Sequence, residues 1–507
     1  MHTVAYARCF QVDILERDAF EVLCLIRSIK NSFAPMNRIP PEVLQLIPDH
    51  CEDEMDQSLI ALTHVCRGWR DIFTSRSSLW TRLDFKNIDK TCTYIKRSQS
   101  SPLEICLRPR NVIADAFPLI APHILRLKSL TIKTLDLPNV LTYICFHAPL
   151  LERLDIDINS GRDRVLDSVL FNGNLPSLRE LRLHRVITHF PWKNLANLLV
   201  FDLRCDFHPY KITQLLDFFE SAPLLHTVKL AYPVQDSSTV PPSRIVPLSH
   251  LKILTFDGPP PPSILLRHLH IPFGASLILG FPFHSEESPL LDYLPERCPN
   301  FGNLSHITCV NLLFNSGFKH TRLSGPSGSL RVLPYQGWGF SPSYIKDGKI
   351  LRSLGRPMLS TIRRLAISKY KHPIPQIASE CPVLQTLTFT NNLRTLTLID
   401  CDNLPFILAL DPEQNSSDLA LCPNMKELVL YVYSLLLLNL ELLIRMAKNR
   451  ASRGTKLPLI RIISQGPMVP EEEMIRLREH VTTVGYSIDD AFPAWDNTSY
   501  EDDGGDQ

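Results

Sequence analysis

The sequence predicts an α/β fold: a short all-α unit near the front, then an irregular α/β solenoid with a parallel sheet. The solenoid rests on two observations. Past residue 100 one phrase keeps returning, a small residue and Pro followed by Leu-x-x-Leu-x-Leu, and helix-like runs separate its copies. The third observation is the stretch 39–80, IPPEVLQLIPDHCEDEMDQSLIALTHVCRGWRDIFTSRSSLW, where two helical patterns and two tryptophans share little more than forty residues. A unit that small buries little core alone, so its apolar surplus must face a neighbour or a partner.

Ahead of that unit, Val12, Leu15, Ala19, Val22, Leu23, Ile26 and Ile29 recur every three or four residues and predict an amphipathic helix over 11–30. The pattern spans fewer than three heptads, so packing on the following helices is expected in preference to a coiled coil. Pro40 and Pro41 suit the first turn of a helix, where a missing N–H costs nothing, and Glu42 complements the positive end of its dipole. Val43, Leu44 and Ile47 give that helix one apolar face, and Pro48 with an acidic linker ends it. Leu59, Leu62, Val65, Cys66, Trp69, Ile72 and Phe73 predict one longer second helix. Leu79 and Trp80 then lead into a strand-like Leu83–Phe85.

These residues resemble an F-box. The family pattern opens Leu-Pro-x-Glu-aliphatic-Leu, carries aliphatic-Cys-x-x-Trp in its second helix and closes on Leu-Trp. Ile39, Pro40, Glu42, Val43 and Leu44 stand at the opening, Val65, Cys66 and Trp69 in the middle, and Leu79 and Trp80 at the close. Ile39 replaces the usual Leu, and the linker Pro48–Gln57 is long and acidic. The arrangement is similar to fungal F-box proteins in which the motif precedes a leucine-rich-repeat-like region. That resemblance implies a non-catalytic substrate receptor of a cullin-RING E3 ubiquitin ligase, with the F-box holding a Skp-family adaptor and the repeats holding a target protein. The implied adaptor face and its support are Pro40, Glu42, Val43, Leu44, Ile47, Leu62, Val65, Cys66, Trp69 and Trp80. The alternative is a non-ligase repeat scaffold whose F-box-like unit is only an end cap, since capping units also carry one polar face.

The repeats follow. APLLERLDI begins at Ala148, LPSLRELRL at Leu175, APLLHTVKL at Ala222, CPVLQTLTF at Cys381 and CPNMKELVL at Cys422. Weaker copies cover Leu127–Ile132, Leu198–Leu203, Leu251–Phe256, Leu304–Cys309 and Ile362–Ile367. The last apolar positions Ile132, Ile156, Leu183, Leu203, Leu230 and Phe256 are 24, 27, 20, 27 and 26 residues apart, the period of leucine-rich repeats. In Leu-x-Leu both leucines fall on one strand face, and the Pro is expected at the strand's first residue, where its absent N–H lies outside the ladder. Helix faces are predicted from Ile212, Leu215, Leu216 and Phe219, and from Val140, Leu141, Ile144 and Cys145.

Register is lost between Phe256 and Ile367, around the breaks GPPPPS (258–263) and SGPSGS (324–329). The gaps of 53 and 58 residues on either side of Cys309 each have room for two repeats, with degenerate strands expected near Leu277–Leu279 and Leu330–Val332. Long-loop repeats in one solenoid are the preferred reading and a domain boundary near 260 the alternative. A strand then a helix are expected over Leu428–Ile444, and a last helix and strand near 470–481 and 484–488. The chain therefore divides into an N-terminal amphipathic helix (1–35), an F-box-like unit (36–85), the repeat region (86–490, irregular at about 232–350) and an acidic disordered tail (491–507).

Lys and Arg total 53 against 52 Asp and Glu, leaving no field to concentrate nucleic acid or an anionic membrane. Thirteen scattered cysteines form no Cys-x-x-Cys pair and read as buried hydrophobes in a reducing compartment, so a cytoplasmic or nuclear location is expected. No catalytic or metal motif is present, and neither an enzyme activity nor a cofactor is expected. His64 and Cys66, two apart on a helix, point away from each other. The residues that flank the strand leucines offer a binding surface instead. Arg153, Asp155, Arg182, His184, Asp202, Arg204 and Lys229 mix both signs, which suits a mixed polar protein surface rather than an acidic peptide.

Overall fold

The computed structural model describes residues 2–50, 55–108, 113–134, 147–158, 163–166, 170–188, 195–205, 210–231, 234–235, 244–257, 263–281, 301–302, 306–314, 319–326, 328–334, 360–368, 387, 390–414, 421–433, 438–465 and 469–488. The chain divides into two compact units, residues 1–181 with 192–195, and residues 182–191 with 196–507.

The first unit begins with α1 (His2–Ser32), longer than the predicted helix. Its expected packing on the following helices is not found. From Val12 to Phe33 the side chains are exposed, Cys24 alone being half-buried. A short α2 (Pro41–Leu44) has Pro40 and Pro41 at its start, as their fixed φ and missing N–H require. The predicted long second helix is two helices, α3 (Met55–Val65) and α4 (Arg67–Ser75). Between them Cys66 is extended, with φ −157° and ψ 173°. Arg70 reaches back across the break, donating Nε to Thr63 O at 3.0 Å and so satisfying a carbonyl that α3 leaves open. The apolar spacing is the same whether or not the helix is interrupted, so periodicity alone does not detect the break.

Beyond α4 come β1 (Arg82–Leu83), α5 (Ile88–Arg97), β2 (Leu103–Leu107), β3 (Leu127–Thr134) and β4 (Arg153–Ile158). The four strands pair in parallel in that order. The strand-like Leu83–Phe85 shrinks to two residues because Phe85 turns into the left-handed region, φ 54°. β5 (Glu180–His184) contains the division between the units.

In the second unit twelve strands form one hydrogen-bonded succession. They are β6 (Val200–Arg204), β7 (Thr227–Ala231), β8 (Ile253–Phe256), β9 (Ser276–Phe281), β10 (Cys309–Phe314), β11 (Lys319–Gly325), β12 (Gly328–Pro334), β13 (Arg364–Ser368), β14 (Thr395–Ile399), β15 (Glu427–Val432), β16 (Leu459–Ser464) and β17 (Thr483–Ile488). The spatial order is β6-β7-β8-β9-β12-β11-β10-β13-β14-β15-β16-β17. All pairings are parallel except those of β11, which runs antiparallel to both β10 and β12. The sheet is therefore mostly, not wholly, parallel. The weak copy at Leu304–Cys309 is displaced, its strand starting only at Cys309. Strands at 276–281 and 328–334 occupy the two positions where degenerate ones were expected. The phrase at 381–389 and the helix face at 140–145 lie outside the described residues, Leu387 excepted, as does the tail.

The recurrent phrase has one local structure. A backbone N–H three residues on closes a turn from Leu151 to Ala148 (3.2 Å), Leu178 to Leu175 (3.2 Å), Leu225 to Ala222 (3.4 Å), Leu251 to Leu248 (3.0 Å), Leu393 to Thr390 (2.9 Å) and Met425 to Cys422 (3.1 Å). Both ends of each turn are buried. Pro149, Pro176, Pro223 and Pro423 thus sit at the second turn position, where a φ near −65° is required, and not in the strand as the sequence suggested. Two successive N–H groups then share one carbonyl, that of the residue just ahead of the preceding strand: Arg179 and Glu180 donate to Glu152 O, His226 and Thr227 to Leu199 O, Arg394 and Thr395 to Arg363 O, Lys426 and Glu427 to Arg394 O. After that the strand runs, and its two apolar side chains are buried. Helices at Ile212–Ser221, Leu404–Leu410, Leu440–Ser452 and Glu471–His480 lie between strands.

Candidate functional site

The helical unit of the first compact body is held from inside by aromatic residues. Trp80 is fully buried, its Nε1 donates to Phe73 O at 2.9 Å, and its ring meets Tyr94 edge-on at 4.9 Å. The Arg97 guanidinium lies 4.3 Å over the same ring, so Trp80 ties the unit to α5. Trp69 meets Phe73 edge-on at 5.8 Å, and both are buried. Arg76 donates to Gln45 O and fastens the end of α4 to the segment after α2.

This packing sorts the ten residues anticipated for adaptor binding. Leu44 (2 % exposed), Trp69 and Trp80 are buried and support the unit. Ile47, Leu62 and Cys66 are half-buried, and Pro40 and Glu42 are exposed. Val43 and Val65 are 50 % and 55 % exposed, more than an apolar side chain needs to be in a unit with its own core. Two more exposed apolar residues, Leu46 and Ile60, belong with them and were missed. Leu46 lies off the expected helix face, and Ile60 sits beside the Leu59 that took the core position.

The polar residues anticipated on the sheet divide between the two bodies. In the first, Arg153 is exposed and pairs with Glu180 through Nε and Nη2 at 3.0 and 3.2 Å, while Asp155 is half-buried. In the second, Arg182 is half-buried and four residues form one cluster. Arg204 grips Asp202 with Nε and Nη2 at 3.1 and 3.2 Å, His184 Nε2 stands 3.5 Å from Asp202 Oδ1, and Lys229 is the register neighbour of Asp202. Burial of Asp202 pushes its carboxyl up, but His184 and Arg204 outweigh that and bring it down to about 2. Asp202 therefore positions Arg204 and His184 from beneath and does not itself face solvent.

A fifth member escaped sequence reading. Asp257 follows Phe256 as Arg204 follows Leu203, and its amide donates to Leu230 O at 2.8 Å. Burial raises its carboxyl, with Arg204 and Lys229 pulling the other way. Gly280 makes room for it, because a Cβ there would lie 2.5 Å from Asp257 Oδ1 and 3.2 Å from its Cα. The readable signal was the position after the last apolar residue of the phrase.

Cys24, Cys66, Cys92, Cys106, Cys205, Cys309, Cys401 and Cys422 are free thiols, and of these Cys205, Cys401 and Cys422 are buried. Cys92 is exposed, so the expectation of buried cysteines holds for part of the set. Cys401 Sγ lies 3.3 Å from Ile367 O, and burial pushes the Cys422 thiol up to about 11, far from a nucleophile's range. Among the described residues no group of three or more His, Cys, Asp or Glu could hold a metal, and no helix is long and apolar enough to cross a membrane.

Residues 36–86 match the family model described as F-box-like, and no curated protein matches the chain. The front helical unit is thus an F-box-like domain. Domains of this family are typically non-catalytic adaptors in ubiquitin ligases and generally bind Skp-family proteins.

Proposed function

We propose that this chain is the substrate-recognition subunit of a Skp/cullin/F-box-type E3 ubiquitin ligase. The F-box-like domain docks a Skp-family adaptor and through it a cullin-RING assembly, and the sheet region, read as a leucine-rich-repeat-like solenoid, holds a target protein. The observation that carries this is the exposed apolar set Val43, Leu46, Ile60 and Val65 on a domain in which the signature residues Leu44, Trp69 and Trp80 are buried. Pro40, Glu42, Ile47, Leu62 and Cys66 complete the docking face.

The chain acts without chemistry of its own and without a cofactor. Holding adaptor and target on one chain raises the effective concentration of target lysines at a ubiquitin-conjugating enzyme supplied by the complex. Arg153, Asp155, Arg182, His184, Arg204 and Lys229 meet the target, with Asp202 holding Arg204 and His184 in place. Their mixed signs suit a folded protein partner in the cytoplasm or nucleus, and neither nucleic acid nor a membrane.

Pull-down of a purified Skp-family adaptor by the full chain tests the proposal. Val43→Asp with Val65→Asp abolishes capture while the melting curve is unchanged, because both side chains are exposed. Capture that survives the pair overturns the assigned face. No capture by the wild type overturns the ligase role and favours a scaffold whose helical unit is an end cap.

A further inference from the structure

Helix α1 carries an apolar seam left open to solvent. Val12, Leu15, Ala19, Val22, Ile26 and Ile29 follow one another at three, four, three, four and three residues, the a and d positions of a heptad. Val12, Leu15, Val22, Ile26 and Ile29 are each more than half exposed, Leu15 reaching 66 %. Leu23 and Leu25 border the seam at e and g and are exposed as well. An apolar stripe of this length on a single helix calls for a cover.

We infer that α1 pairs antiparallel with α1 of a second copy of this chain. Charge sets the direction. Glu16 at e and Asp18 at g make the flanks of the first part of the seam acidic, and Lys30 at e makes the flank of its far end basic. In a parallel pair the flanking contacts run from g to the following e, which places Asp18 beside the partner's Leu23 and Leu25 beside the partner's Lys30, with no charge matched. The antiparallel alignment that faces Val22 with the partner's Ile26, and Ala19 with the partner's Ile29, brings Leu23 against the partner's Leu23. The same alignment sets Glu16 beside the partner's Lys30 at both ends. The two halves of one helix are therefore complementary only when it meets itself reversed. A membrane surface fits less well, because α1 carries four carboxylates against four lysines and arginines and so has no excess of positive charge for an anionic surface. The pairing is independent of what docks on the F-box-like domain.

Sedimentation velocity of the full chain over a concentration series tests the inference. The expected result is a shift from one chain to two as concentration rises. Val22→Asp with Ile26→Asp removes the shift without altering the melting of the monomer. Glu16→Lys and Lys30→Glu each weaken the dimer by about fivefold, and the two combined restore it. A single chain at every concentration, a dimer indifferent to the Val22 and Ile26 pair, or a double reversal no better than either single one overturns the proposal. So does a monomer that cosediments with anionic vesicles.

Discussion

At the scale of single residues, Trp80 does the most. Its indole is wholly buried, hydrogen-bonded to Phe73 O and enclosed by Tyr94 and Arg97. Trp80→Phe keeps most of the ring but orphans the carbonyl, and is expected to cost about 1–2 kcal/mol in urea unfolding at unchanged slope. Trp80→Ala also opens a cavity and costs about 3–5 kcal/mol. Asp202 gives the acid limb of stability. Its folded carboxyl is held down to about 2 from the ordinary 3.8, so its contribution is complete above the unfolded value and is lost as pH falls from about 4 towards 2. The shift is worth about 2 kcal/mol, and denaturation between pH 6 and 2 (approximate working limits) should show a shallower acid loss in Asp202→Asn than in the wild type. The sequence marks Trp80 and Asp202 as residues to notice, but it does not say that either is buried. The anticipated adaptor set likewise mixes contact residues with supports, because a helical spacing of three and four does not tell which apolar side chains reach the core.

At the scale of elements, the helix Leu440–Ser452 is anchored by one buried cation. Arg450 is fully buried and donates to Leu410 O at 3.4 Å, Leu421 O at 2.8 Å, Cys422 O at 3.1 Å and Thr455 O at 3.3 Å. It thereby joins the end of the preceding helix and the turn ahead of β15. Beside it, buried Asp411 accepts from Asn449 Nδ2 at 2.9 Å and Arg445 Nε at 3.2 Å. Arg450→Met leaves several carbonyls without donors and is expected to cost about 3 kcal/mol or more in chemical denaturation, with Arg450→Lys intermediate. A loss below about 1 kcal/mol would mean that water replaces the guanidinium. The turn phrase before β4, β5, β7 and β15 was legible because it is written within a few consecutive residues, while the turn at Thr390–Leu393 ahead of β14 lacks the Pro and was not read. The break at Cys66 was not, since an extended residue between two helices leaves the apolar spacing intact.

At the scale of the whole molecule, 53 basic and 52 acidic side chains leave a net charge of +1. Cations and anions are interleaved, as in the Arg153–Glu180 and Arg461–Glu427 pairs. The full chain should therefore pass through a heparin column at physiological salt, and strong retention would reveal a basic stripe that these pairings do not leave room for. The sequence by itself determined the α/β character, the spacing of the recurrent turn-and-strand phrase, the front helical domain and most strand positions. Each of these depends on neighbours along the chain: a turn closing over three residues, side chains alternating every two, or apolar residues returning every three or four. Only the tertiary structure decided that β11 reverses direction between β10 and β12, that Asp257 joins Asp202 and Arg204, and that α1 keeps its seam uncovered. Those outcomes depend on which distant segments pair and which side chains lose water, and residues far apart in sequence must meet in space before either is settled.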